Sequence, residues 1–172
     1  MNTSQIDGIL KRIVKPPTRF LGVFAKDQLP EPTTITHFPS CLIANTDKAS
    51  GKGEHWVAFW FDSPYSCEFF DSYGLSPFDY GFSFSCTSFN SRTLQSLTSS
   101  VCGQFCIYYL YSRSRGLSLS HIINSFFSNL GWNDYQVAHF VNKHFGISNA
   151  SLTSHICQSC GPRVSCRCVS HC

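Results

Sequence analysis

No run of this sequence is apolar for long enough to cross a membrane as a helix, although 42% of its residues are hydrophobic and 16 are phenylalanine. Charge is scarce as well. Only 13% of residues are charged, and the formal net charge of +3 permits contact with nucleic acid without demanding it. The hydrophobic and aromatic content excludes a disordered chain. The opening Met1-Asn2-Thr3-Ser4-Gln5-Ile6-Asp7 lacks the charged head and apolar centre of a secretory signal, so the thiols are expected to start reduced. Paired metal-knuckle spacing is missing from the body of the chain. Cys41, Cys67, Cys86, Cys102 and Cys106 stand singly there, and most are expected to be small buried hydrophobes.

What is present is one domain's worth of chain, 172 residues, enough to bury a core without disulfides. The composition divides it into a catalytic-sized body, residues 1–150, and a Cys-rich tail, residues 151–172. Five of the ten cysteines crowd into the last sixteen positions. Cys157-x-x-Cys160 followed by Cys166-x-Cys168 offers enough thiolates for one zinc, but only the first pair has ordinary knuckle spacing. A disordered redox-sensitive tail, a zinc site and disulfides formed on oxidation all stay open for it.

Periodicity places the elements. Ile6, Ile9, Leu10 and Ile13 predict an amphipathic helix over Ser4–Val14 that Pro16-Pro17 stops. Phe20 to Ala25 is a short apolar stretch, and Cys41 to Ala44 has the character of a buried strand. His55 to Phe61 is apolar at both parities, which predicts a central strand covered on both faces. After a turn at Ser63–Ser66, Cys67 to Phe70 returns beside it and ends at Asp71. In such an antiparallel hairpin the start of the first strand and the end of the second are neighbours, so His55 and Asp71 can meet. Ser76 to Asn90 reads as one more strand or an irregular crossing. Helices are predicted from Cys102 to near Gly116, over Ser118–Leu130, and from a cap at Asn133 or Asp134 to Gly146. The class is α+β, a central mostly antiparallel sheet flanked by helices.

The chemistry centres on Cys102, at a predicted helix start where the dipole favours a thiolate. A nucleophilic thiolate needs an imidazole partner, for which His55 is the candidate, and the imidazole needs an orienting acceptor, for which Asp71 is placed. Gln95, seven positions before Cys102, is the candidate side-chain donor to a developing oxyanion, together with the Cys102 backbone amide. His37, His121, His139 and His144 are expected to be structural or surface residues. Cys106, one turn after Cys102, is expected to face the core, and Trp56 to wall and shield the imidazole.

These residues carry a resemblance. Gly53-Glu54-His55-Trp56, Phe70-Asp71-Ser72-Tyr73-Gly74, Gln95 and Val101-Cys102-Gly103-Gln104-Phe105-Cys106, with Phe20-Leu21-Gly22-Val23-Phe24 and Ala44-Asn45-Thr46, resemble the adenovirus-type cysteine endopeptidases, the adenain family. Relatives of that family also occur in Polinton/Maverick-type transposons. The likeness covers roughly Ile9 to Phe145. It implies a papain-like site in permuted order, with His55 as base, Asp71 as orienter, Gln95 as oxyanion donor and Cys102 as nucleophile. It further implies cleavage of viral or transposon-encoded precursor and capsid proteins at small glycine-containing motifs, in the virion and host nucleus. The chemistry itself requires no cofactor. Adenovirus members are activated by a peptide, linked through a disulfide, and by DNA. The segment Leu75–Leu94 is shorter here, and Cys86 is its candidate for the peptide-linked cysteine.

Two other functions share parts of this pattern. Ulp-type proteases specific for ubiquitin-like proteins use the same order of His, Asp, Gln and Cys, and so differ in substrate rather than mechanism. A non-catalytic, DNA-associated virion protein would instead rest on Lys11, Arg12, Lys15 and Arg19 with Arg113 and Arg115 as a basic patch. No membrane partner is expected.

Overall fold

The computed structural model describes residues 1–82 and 84–146. Cys157, Cys160, Cys166 and Cys168, and with them the zinc, disulfide and disorder readings of the tail, lie outside the described residues.

Helix α1 (Thr3–Ile13) begins with a capping box: the Asn2 side chain accepts from the Gln5 amide and the Gln5 side chain accepts from the Asn2 amide. Its buried residues are the four that set the period, Ile6, Ile9, Leu10 and Ile13. Strand β1 (Arg19–Phe24) takes the Phe20 stretch, and β2 (Ser40–Asn45), β3 (Trp56–Ser63) and β4 (Ser66–Phe70) follow. The Ser76–Asn90 stretch is mainly irregular and closes with the two-residue strand β5 (Ser88–Phe89). Helices α2 (Cys102–Arg113), α3 (Leu119–Asn124) and α4 (Leu130–Phe145) complete the described chain.

The five strands form one sheet in the order β1-β2-β3-β4-β5. Its middle pairs, β2–β3 and β3–β4, are antiparallel, the second as the hairpin pattern predicts, while β1 and β5 join the two edges in parallel. Each parallel edge is reached through a long connection, residues 25–39 and 71–87, the length a crossover needs.

Alternation along the central strands divides the core into two layers. Cys41 and Ile43 of β2 and Ala58 and Trp60 of β3 face α1, α2 and α4. Leu42, Ala44, Val57, Phe59 and Phe61 face the other way, where Phe82, Phe84 and Ile35 from the long connections cover them. Phe59 meets Phe82 edge-on, with centroids 5.3 Å apart. The aromatic richness of the Ser76–Asn90 stretch therefore supplies a second core layer without regular structure. All the helices in the first layer lie on one face.

Two helix boundaries differ from the periodic reading. The predicted Ser118–Leu130 helix stops at Asn124, because the Arg92 guanidinium donates to the carbonyls of Ile123, Phe126 and Phe127 and holds the chain in a turn. The cap of α4 is Asn129, whose side chain accepts from the Trp132 amide, rather than Asn133 or Asp134. Asn133 lies fully buried inside the helix, where its amide donates to the Leu94 and Phe127 carbonyls. Local sequence offers several capping residues, and tertiary contacts choose among them. Among the described residues no helix is long and apolar enough to cross a membrane.

Candidate active site

Ala58 pairs with Phe70 in the β3–β4 register, so the residues before β3 pass directly beside those after β4. This brings His55 against Asp71, with 2.6 Å between Nε2 and Oδ1. Asp71 is fully buried, and besides His55 its carboxylate accepts from the Tyr73 amide, the Leu75 amide and the Tyr80 hydroxyl at 3.1, 2.9 and 3.0 Å. His55 and three donors from the stretch that follows leave it a single orientation. The Asn90 side chain adds a reciprocal pair with the Asp71 backbone, accepting from its N–H and donating to its C=O. The turn that follows depends on Gly74. Its φ is 77°, and a side chain there would collide with the Arg92 backbone.

Nε2 of His55 is committed to Asp71, which leaves Nδ1 as the nitrogen available to the Cys102 thiol, close enough for each side chain to shift the other's pKa. Burial pulls the His55 pKa down, but the bonds to Asp71 and Cys102 and the charges on both outweigh it and lift the value to about 9. Cys102 shows the complementary effect. Burial raises its pKa, yet the bond to His55, the imidazolium charge and the backbone amides of Trp56 and Gly103 bring it below the ordinary thiol value. Both shifts favour the thiolate–imidazolium form of the pair.

Cys102 is the first residue of α2, and its cap Val101 supplies no side-chain bond. Of the first-turn amides, that of Gly103 helps to hold the Cys102 pKa down. Gly103 allows this close seat, since a side chain there would press on Ile6, Met1 and Trp56. Cys106 is fully buried and its thiol donates to the Trp56 carbonyl, with burial raising its pKa well above normal. The core-facing reading of Cys106 holds.

The Trp56 indole does not shield the imidazole. It turns away to donate to the Met1 carbonyl, because adjacent residues of an extended chain point in opposite directions. The rings that cover His55 are Tyr73, stacked at 4.6 Å, and Tyr80, at 5.9 Å. Neither tyrosine was among the predicted site residues. A signal was available in Asp71-x-Tyr73, whose spacing puts an aromatic ring in the turn next to the orienting carboxylate.

Gln95 is fully buried next to this cluster. Its carbonyl accepts from the Ser72 hydroxyl at 2.7 Å, and its amide donates to the Ser99 carbonyl at 3.0 Å and lies 3.4 Å from the Tyr73 hydroxyl. The Ser96 amide of the same loop points at the Asp134 carboxylate of α4. A groove of about 660 Å³ opens over Cys102, lined by Val23, Phe24, Asn45, Gly51, Gly53 and Trp56 among others. Its rim is stiffened by Asn45, whose side chain accepts from the Asp47 and Glu54 amides, and by Asp27, which accepts from the Ala49 amide.

The remaining candidates are placed elsewhere. His37 bonds the Pro17 carbonyl, His144 bonds the Phe140 carbonyl, and His139 stacks on Tyr135. Arg113 is paired with Glu68 and Asp62 at 2.7 and 2.9 Å and lies over Trp60, while Arg115 packs on Tyr111. Lys11 is paired with Asp7. Among the described residues no group of three or more His, Cys, Asp or Glu is placed to hold a metal.

The ion pair has a direct chemical consequence. Alkylation of Cys102 by iodoacetamide, mapped by mass spectrometry, is expected to follow a midpoint below the ordinary thiol pKa of about 8.5. In His55→Ala the opposing burial is left unbalanced, and the rate at pH 7 is expected to fall roughly 10- to 100-fold. An unchanged profile in that variant would refute the pairing.

No family model matches the chain, and no curated protein matches it. Ten chains of solved structures do. The ASFV pS273R protease aligns with 22% identity and a TM-score of 0.40, over 57% of this chain and 42% of its own. This chain thus spans about two fifths of that protease's length. The central domain of the uncharacterized Lpg1148 protein from Legionella pneumophila aligns with 13% identity and a TM-score of 0.49, over 83% of this chain and 94% of its own.

Proposed function

We propose that this chain is a cysteine endopeptidase in which Cys102 attacks the substrate carbonyl and His55 shuttles the proton. The observation that carries the reading is the continuous line from the buried Asp71 carboxylate through His55 to the Cys102 sulfur. An arrangement that stabilises thiolate and imidazolium together, beneath an open groove, suits acyl transfer. A buried structural cysteine needs neither partner.

In the proposed cycle the thiolate adds to the scissile carbonyl, and charge develops on its oxygen. The Cys102 amide and the Gln95 side chain are the donors for that oxygen. Gln95 already gives its amide to Ser99, so an oxyanion would take the place of the nearby Tyr73 hydroxyl as its second acceptor. Imidazolium His55 then donates its proton to the leaving amine, and as a neutral base activates the water that releases the acyl group. Asp71 keeps the ring in the tautomer that both steps use.

For substrate we propose polypeptides with small residues near the cleaved bond, viral or transposon-encoded precursor and capsid proteins being the class the adenain resemblance suggests. The competing Ulp-type reading predicts a folded ubiquitin-like conjugate as the better substrate. Turnover of a Gly-Gly-containing fluorogenic peptide is expected to exceed that of such a conjugate in kcat/KM. The reverse preference would overturn the endopeptidase assignment and leave the mechanism in place.

A further inference from the structure

The Asp71 carboxylate and every group that bonds it except His55 belong to one stretch of chain. Tyr73, Leu75 and Tyr80 all lie between Cys67 and Cys86. The two cysteines that bound this stretch face each other, with their sulfurs 2.7 Å apart. They are held there by the backbone. The Thr87 amide and hydroxyl both donate to the Cys67 carbonyl, at 2.7 and 3.0 Å, and Glu68 pairs with Ser88 in the next register position. Cys67 is buried on β4, whereas Cys86 is half-buried and reachable from solvent. The mechanism uses neither thiol, and both are free.

We propose that Cys67 and Cys86 are a disulfide-forming site that clamps the stretch carrying the carboxylate partner of His55. The sulfurs need only a small adjustment to reach the bonding distance of about 2.05 Å. The oxidant is a low-molecular-weight disulfide such as oxidised glutathione. The Cys86 thiolate attacks one sulfur of it, forming a mixed disulfide and releasing one glutathione thiolate. Cys67 then gives up its proton and attacks the Cys86 sulfur, which joins the two residues and releases the second glutathione. Two protein thiols are oxidised and one glutathione disulfide is reduced to two thiols. Closing this stretch removes freedom from the unfolded chain while leaving the native bonds to Asp71 as they are.

The test uses the full chain, incubated with oxidised glutathione, quenched by alkylation and digested without reduction. Mass spectrometry is expected to recover the Cys67 and Cys86 peptides joined, two hydrogens lighter than their sum. The oxidised protein is expected to melt roughly 5–10 °C above the reduced form. Cys86→Ser should lose both effects and Cys102→Ser should keep both, which separates this pair from the nucleophile and from cysteines of the tail. Recovery of Cys67 and Cys86 as thiols, as glutathione adducts or joined to other cysteines would overturn the site. A crosslink without the rise in melting temperature would overturn the clamp. Neither readout depends on peptidase activity, so the endopeptidase proposal can fail without affecting this one.

Discussion

Cys102→Ala is expected to reduce peptide turnover by a factor on the order of 10⁵ or more while leaving the fold intact. In the proposed mechanism the substitution removes the atom that forms the acyl intermediate. What remains, the groove and the proposed oxyanion donors, would orient a substrate without attacking it. The structural cost is small, because alanine is a strong helix former and Cys102 opens α2 without serving as a side-chain cap. The second half of the expectation concerns His55. Burial lowers its pKa, and the Asp71 and Cys102 bonds and charges raise it to about 9, so losing the sulfur leaves burial opposed by Asp71 alone. The imidazole midpoint, followed by NMR, should therefore fall in Cys102→Ala. Turnover above background in this variant would refute Cys102 as the nucleophile. A fixed His55 midpoint would refute the ion pair.

Asp71→Asn is expected to lower kcat by roughly 10²- to 10⁴-fold with a much smaller change in KM. Asparagine keeps the shape of the side chain but lacks its charge and presents an N–H on one side. The four donors that converge on Asp71 are shared two to each oxygen, so one amide oxygen strands two of them. The Tyr80 hydroxyl can turn to accept from the new N–H, which leaves at least one buried donor without a partner, at a cost of about 1–3 kcal/mol in stability. Catalysis suffers more than stability, since the His55 ring loses both its tautomer control and part of its support as imidazolium. The sign of the pH dependence follows from the raised His55 value. Because the folded pKa, about 9, lies above the unfolded value of 6.5, the stabilisation from protonated His55 is complete below the unfolded value and is lost as pH rises through the folded one. In Asp71→Asn this alkaline loss should shrink and move toward neutrality. Steady-state kinetics with melting curves across pH would check both parts, and wild-type kcat in the variant would remove Asp71 from the mechanism.

Some of the site was legible because it depends on short-range order. His55 opens one strand of a hairpin and Asp71 closes the other, and antiparallel pairing alone makes such residues neighbours. Cys102 at a helix start follows from the change of period after Val101. Gln95 was legible only through its spacing from Cys102, and its actual partners, Ser72 and Ser99, come from a loop whose path no periodicity encodes. Tyr73 and Tyr80 were missed for the same reason. Their rings reach His55 from an irregular stretch with no repeating pattern to read.

By itself the sequence determined the central strands covered on both faces, the amphipathic first helix and the identity of the residues able to do thiol chemistry, since each is written in residue type and local pattern. Only the tertiary structure decided which of several asparagines caps α4, which face of the sheet the helices cover, and that two scattered thiols, Cys67 and Cys86, meet. These outcomes depend on contacts between residues far apart in the chain. Local propensity leaves such alternatives nearly equal, and the burial of a shared core selects one of them.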